Sequence, residues 1–77
     1  MSRNTDAARV ATLWQLGWND ERVTCAIYRD TSGFQLRLES LTATILTEPF
    51  DLQPRTLARS KALHTALRRR GWHDLPA

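Results

Sequence analysis

The sequence predicts an α+β domain: a four-stranded antiparallel β-meander with one C-terminal helix packed on one face, in the order ββββα. Three observations predict it. Between residues 10 and 48, short runs of β-branched, aromatic and aliphatic residues are separated by turn chemistry. Residues 54–72 carry a helix start, a helix stop and one apolar stripe. The chain has 77 residues and one Cys, so it is a single domain with no internal disulfide to staple it.

Residues 1–9 are polar and read as a flexible N-terminus, with the domain over 10–72 and a tail over 73–77. The stretch 10–16 admits two periods. Val10, Leu13, Trp14 and Gly17 fit helical spacing, with Thr5 or Asp6 as N-cap, and would give an αβββα order. Thr12, Trp14 and Leu16 instead fit one face of a strand. Strand is the favoured reading, because the run is short for a helix and leads directly into Gly17-Trp18-Asn19-Asp20-Glu21, a hairpin-like turn.

The second strand, 23–29, is rich in β-branched and aromatic residues, and Asp30-Thr31-Ser32-Gly33 supplies a turn. The third, 34–39, alternates strictly, with Phe34, Leu36 and Leu38 on one face and Gln35, Arg37 and Glu39 on the other, as a half-solvated antiparallel strand requires. Ser40-Leu41 is poor turn material, which leaves the next register open. The fourth strand, 42–48, is expected to stop at Pro49.

Asp51 or Gln53 is the expected cap of the helix, and Pro54 suits its first turn, where a missing N–H is harmless. On a helical wheel Leu63, Ala66 and Leu67 share a face with Thr56 and Ser60, while Lys61, His64 and Arg68 form a row on the opposite side. Gly71 is the expected C′ residue, with Trp72 at C″ able to pack on Leu67.

Charge is divided along the chain. Five Arg against seven acids give residues 1–53 a net −2, whereas residues 54–70 hold Arg55, Arg59, Lys61, Arg68, Arg69 and Arg70, with no acid, for +6. Two readings follow: the last three Arg complement the helix C-terminal dipole and keep a small domain soluble, or the whole set contacts phosphates or an acidic protein. The candidate nucleic-acid or acidic-partner residues are therefore Lys61, His64, Arg68, Arg55, Arg59, Arg69 and Arg70. Arg59 and Arg70 flank the core edge, where Glu39, Glu48 or Asp51 can pair with them. One helix covers one face of a sheet, so the other face is polar or meets a partner. Trp18, Tyr28 and Arg37 are the candidates for a protein interface or homodimer on that open face.

Chemistry is sparse. There is no Gly-rich phosphate loop, no His-x-x-x-His and no Ser/His/Asp order, so a non-catalytic protein without cofactor is expected. Cys25 alternates with Val23 and Ile27 and reads as a small core residue. His64 reads as solvated. One Cys and two distant His give no zinc spacing, so no metal is expected. No apolar leader or 18-residue apolar run occurs, so no membrane is expected and a cytoplasmic location is the default. Ten Arg against one Lys fits a GC-rich bacterial genome.

The order Leu13-Trp14-x-Leu16, Val23-x-Cys25-x-Ile27-x-Arg29-Asp30, a Gly-turn strand, Pro49-Phe50-Asp51, a basic helix and a terminal Gly71-Trp72 resembles small uncharacterised proteobacterial ββββα proteins. The resemblance spans about residues 11–72 and implies the meander with a helix across it; it implies no activity. The helix departs from that group in lacking Glu and Asp. The rival αβββα order would resemble the double-stranded-RNA-binding domain, whose second helix grips phosphates. Here that match ends at topology and Arg55, Arg59 and Lys61, without that family's Gly-rich approach or clustered lysines.

Overall fold

A computed structural model describes residues 7–76. The elements run β1 (Ala8–Trp18), β2 (Glu21–Asp30), β3 (Gly33–Glu39), β4 (Thr44–Phe50), α1 (Gln53–Arg69) and a two-residue β5 (His73–Asp74). All strand pairs are antiparallel, in the sheet order β4-β3-β2-β1-β5. The ββββα architecture is thus the observed one, and residues 8–18 are strand, not helix. The expected flexible N-terminus lies outside the described residues over 1–6, while residues 8 and 9 already belong to β1. The tail is not idle either, because His73 and Asp74 add a fifth strand.

The double period of the first segment has a physical origin. β1 breaks register with β2 between Arg9 and Ala11 and again between Thr12 and Trp14, leaving Val10 and Leu13 as extra residues. Each bulge shifts the alternation by one. Thr12 pairs with Ala26 on the open face, while Trp14 pairs with Cys25 on the helix face. Leu13 and Trp14 both pack against the core, so adjacent residues serve one face and mimic helical spacing.

The other turns follow their chemistry. Asn19 takes φ 56°, which Asn tolerates, in the β1–β2 hairpin. Asp30 Oδ1 accepts the Ser32 amide and hydroxyl, both at 2.8 Å. Gly33, at φ 138°, has its absent Cβ position 2.8 Å from the Phe50 carbonyl oxygen. In the β3–β4 turn Ser40 Oγ accepts the Ala43 amide at 3.1 Å, and the Ser40 amide donates to the Ala43 carbonyl at 2.8 Å. Pro49 does not end β4; it pairs with Gln35 inside the strand. β4 is the sheet's edge, so the N–H that Pro lacks has no partner to lose there.

Leu52 is the helix N-cap, without a side-chain cap bond, in place of Asp51 or Gln53. The C-terminus is a Schellman ending: the Gly71 amide bonds the Arg68 carbonyl at 3.1 Å and the Trp72 amide bonds the Leu67 carbonyl at 3.2 Å, with Gly71 at φ 110°. Val23, Cys25, Ile27, Leu36 and Leu38 form the core between sheet and helix, flanked by Leu13, Trp14, Phe34, Leu46, Phe50, Leu63, Leu67 and Trp72. Ala66, placed by the wheel on the apolar face, is exposed.

Candidate functional site

Three alanines, three leucines and four arginines make residues 53–69 a strong helix former. Its two fully buried residues are Thr56 and Ser60, both small and polar, and these set its rotation on the sheet. Thr56 Oγ1 donates to the Leu52 carbonyl at 3.2 Å. Ser60 Oγ accepts from Trp14 Nε1 at 2.8 Å and from Cys25 Sγ at 3.7 Å. Burial pushes the Cys25 thiol up, in keeping with its place as a small core residue.

With Thr56 and Ser60 facing inward, His64 falls on the flank beside β1 rather than in an outward row. It is half-buried, its ring edge-on to Trp14 with centroids 5.2 Å apart. Asp74, opposite Leu16 and so on the same face of the sheet, reaches back to the helix. His64 Nε2 donates to Asp74 Oδ1 at 2.7 Å, and an Arg68 guanidinium nitrogen donates to Oδ2 at 2.9 Å. The hydrogen bond from His64, with the Arg68 charge adding, holds the Asp74 carboxyl below the ordinary carboxylate range. His64 is therefore a tethered residue, contrary to the solvated one expected from its polar neighbours. Ser60, His64 and Asp74 lie near one another, yet no hydrogen bond joins Ser60 to His64 among the described residues, and Ser60 is buried as an acceptor. This is not a hydrolytic triad.

The other helix cations divide. Arg59 is held by Glu48 through two bonds of 2.9 and 3.1 Å. Arg55 stands 3.6 Å from Asp51, with both side chains mostly exposed. Lys61, Arg69 and Arg70 are exposed and make no ion pair among the described residues. Arg55, Lys61 and Arg69 share the solvent side of the helix with Ala58, Ala62 and Thr65. At 1.5 Å per residue, about 9 Å and then about 12 Å separate the three cations along the axis.

On the opposite face of the sheet, Tyr28 and Arg37 are neighbours: the guanidinium lies 4.0 Å from the ring centroid. Arg9, not singled out from the sequence, organises this layer. It donates to Thr12 at 3.0 Å, to Tyr28 at 3.1 Å and to Glu39 at 2.6 Å, and the Tyr28 hydroxyl donates to Glu39 at 2.9 Å. Arg37 donates to Gln35, which donates to Asp30. The open face is thus a connected polar layer. Trp18 does not join it: alternation from Leu16 puts Trp18 on the helix side, where its ring meets Trp72 at 5.8 Å while remaining 48% exposed.

Two residues carry most of what the sequence concealed. Asp74 is separated from His64 by only ten positions, but its role depends on the Schellman reversal that turns the chain back along β1. Arg9 depends on the bulged register, since only the shift at Val10 places it opposite Tyr28. A groove of about 430 Å³ along the outer edge of β1, lined by Thr12, Leu13, Trp14, Gln15, Asp74 and Leu75, holds a single ionisable group. No group of three or more His, Cys, Asp or Glu able to hold a metal ion occurs among the described residues. Nor is any helix among them long and apolar enough to cross a membrane.

A scan against protein-family models finds no match to this chain, and searches of curated proteins and of solved structures return none.

Proposed function

We propose that the chain is a small non-catalytic binding module that docks the outer face of α1 on nucleic acid. One observation carries this reading: Arg55, Lys61 and Arg69 line the solvent side of a helix that contains no acid, with small residues between them. Ala58, Ala62 and Thr65 let a phosphate backbone approach closely enough for the cations to reach it. Pairing with Glu48 and Asp74 takes Arg59 and Arg68 but no cation of this row, where Arg55 faces Asp51 at 3.6 Å with both side chains mostly exposed; on the open sheet face Arg9 is already paired with Glu39.

A salt titration tests it. Duplex DNA and duplex RNA are bound at low ionic strength and log K is followed against log salt. If three phosphates are neutralised on DNA, the slope is about −2.7, at −0.9 per phosphate. Lys61→Ala and Arg69→Ala each make it shallower by about one contact's worth. No binding at low salt, or a slope untouched by either variant, removes the reading.

A second reading, a protein-interaction or homodimerising module, is favoured by exposed Trp18 beside Trp72. It requires a molar mass above 8.8 kDa by light scattering, or a protein partner lost on Trp18→Ala.

A further inference from the structure

His64 and Arg68, four residues apart on α1, point their donors at one place, and a carboxylate already sits there. That carboxylate is the molecule's own. Asp74 is half-exposed, on a strand of two residues that pairs with Leu16 and Gly17 and is followed by a bond from the Leu75 amide to the Gln15 carbonyl at 3.0 Å. Next to it a shallow cleft of about 330 Å³ is lined by His64, Thr65, Arg68 and Arg69. Trp14, pinned by Ser60, holds the imidazole edge-on and so fixes the direction of its Nε2.

We infer that His64 and Arg68 form an oxyanion subsite for a nucleic-acid phosphate, and that Asp74 is its internal occupant, displaced when the phosphate binds. The inference rests on the nucleic-acid reading of α1 and adds to it a site and a regulator. Carboxylate and phosphate oxygens accept the same donors, so the exchange keeps an anionic acceptor for both His64 and Arg68. A phosphate, free of the tether that holds Asp74 to β5, can enter the cleft and reach the Thr65 hydroxyl and the Arg69 guanidinium as well. The C-terminal end of a helix is itself negative, which works against an anion; Arg68, Arg69 and Arg70 offset it. Exposed ion pairs are weak, so the internal pair yields readily. The tether makes Asp74 a competitor: a ligand with only one or two phosphates loses to it, while one that also engages Lys61 and Arg55 wins.

The test compares wild type, Asp74→Asn and Asp30→Asn, with a labelled 20-base-pair DNA duplex as probe. Asp30→Asn removes the same charge at the far end of β2. Asp74→Asn is expected to bind about threefold or more tightly than wild type and Asp30→Asn at low salt, at an unchanged salt slope, because the duplex fills the same subsite in each protein. Affinity equal to that of Asp30→Asn, in a background where wild type binds, overturns the inference and leaves the reading of α1 standing. A wild type that does not bind overturns both. Should Asp74→Asn lose its fold by circular dichroism, the question passes to the wild type: saturating duplex moves the Asp74 carboxyl ¹³C resonance if the side chain is displaced, and an unmoved resonance refutes the displacement.

Discussion

Ser60 joins the helix to the sheet with a hydroxyl where a domain of this size would ordinarily place a methyl. Its small side chain is buried, and its oxygen satisfies the Trp14 indole N–H and the Cys25 thiol across the seam. Among the described residues no buried side-chain polar atom is left without a partner. Ser60→Ala breaks that balance, since the Trp14 donor loses its acceptor in a part-buried site. The expected loss is about 1–3 kcal/mol of unfolding free energy, read as a lower urea midpoint at unchanged slope. Gly33 matters for another reason: its φ and the nearby Phe50 carbonyl leave no room for a Cβ. That need was visible in the sequence as turn chemistry. The need for Ser60 was not, because a Ser on an apolar stripe looks the same whether it is satisfied or merely tolerated.

At the scale of elements, β2 and β3 were legible because they alternate without interruption, and α1 because Pro54 and Gly71 bracket it. β1 was half legible: its two bulges replace a period of two with apolar residues at 10, 13, 14 and 16. Pro49 misled because the rule it invokes holds for inner strands and β4 is an edge. β5 was not legible at all, as a pair of residues has no period. Its attachment carries a pH signature. The folded Asp74 carboxyl lies below its ordinary value of 3.8, so its contribution is complete above that value and is lost as pH falls through the lower folded one. Between about pH 5 and pH 2, wild-type stability should therefore fall more steeply than that of Asp74→Asn. Asp30, also held low by Ser32, contributes to the same window in both proteins and cancels in the comparison. Parallel denaturation series across that range check it; identical pH profiles would mean that the tether does not stabilise the fold.

At the scale of the whole molecule, one thin seam supports everything. Leu16, Cys25, Ile27 and Leu36 on the helix side, with Ala26 beneath the polar layer of the open face, are the hydrophobic residues almost wholly removed from solvent, and a core of this size rarely supplies more than about 3–5 kcal/mol. Leu36→Ala, at a fully buried position in β3, should cost about 2–5 kcal/mol. Such a loss uses most of the margin, so the variant is expected to be largely unfolded at room temperature by far-UV circular dichroism; a cooperative transition near the wild-type midpoint would show a deeper reserve. The division of labour between surfaces follows from the same thinness. One face of the sheet carries a polar layer in which Arg9, Tyr28 and Glu39 are joined by hydrogen bonds, and the other is covered by a helix whose outer side is left to cations. The charge asymmetry was legible in the sequence. Which cations remain available was not, because Glu48 and Asp74 find their partners only through the fold.

The two ends of the sheet share a property that bears on how the protein behaves in quantity. An unpaired strand edge is a template on which further copies can stack. Here one edge is kinked twice, at Val10 and at Leu13, and the other carries Pro49 and an irregular register beside Glu39. Neither offers a straight ladder of amides and carbonyls for fibril growth. Concentrated solutions of the folded chain should thus resist seeding, and whatever approaches it must recognise side chains rather than bare backbone.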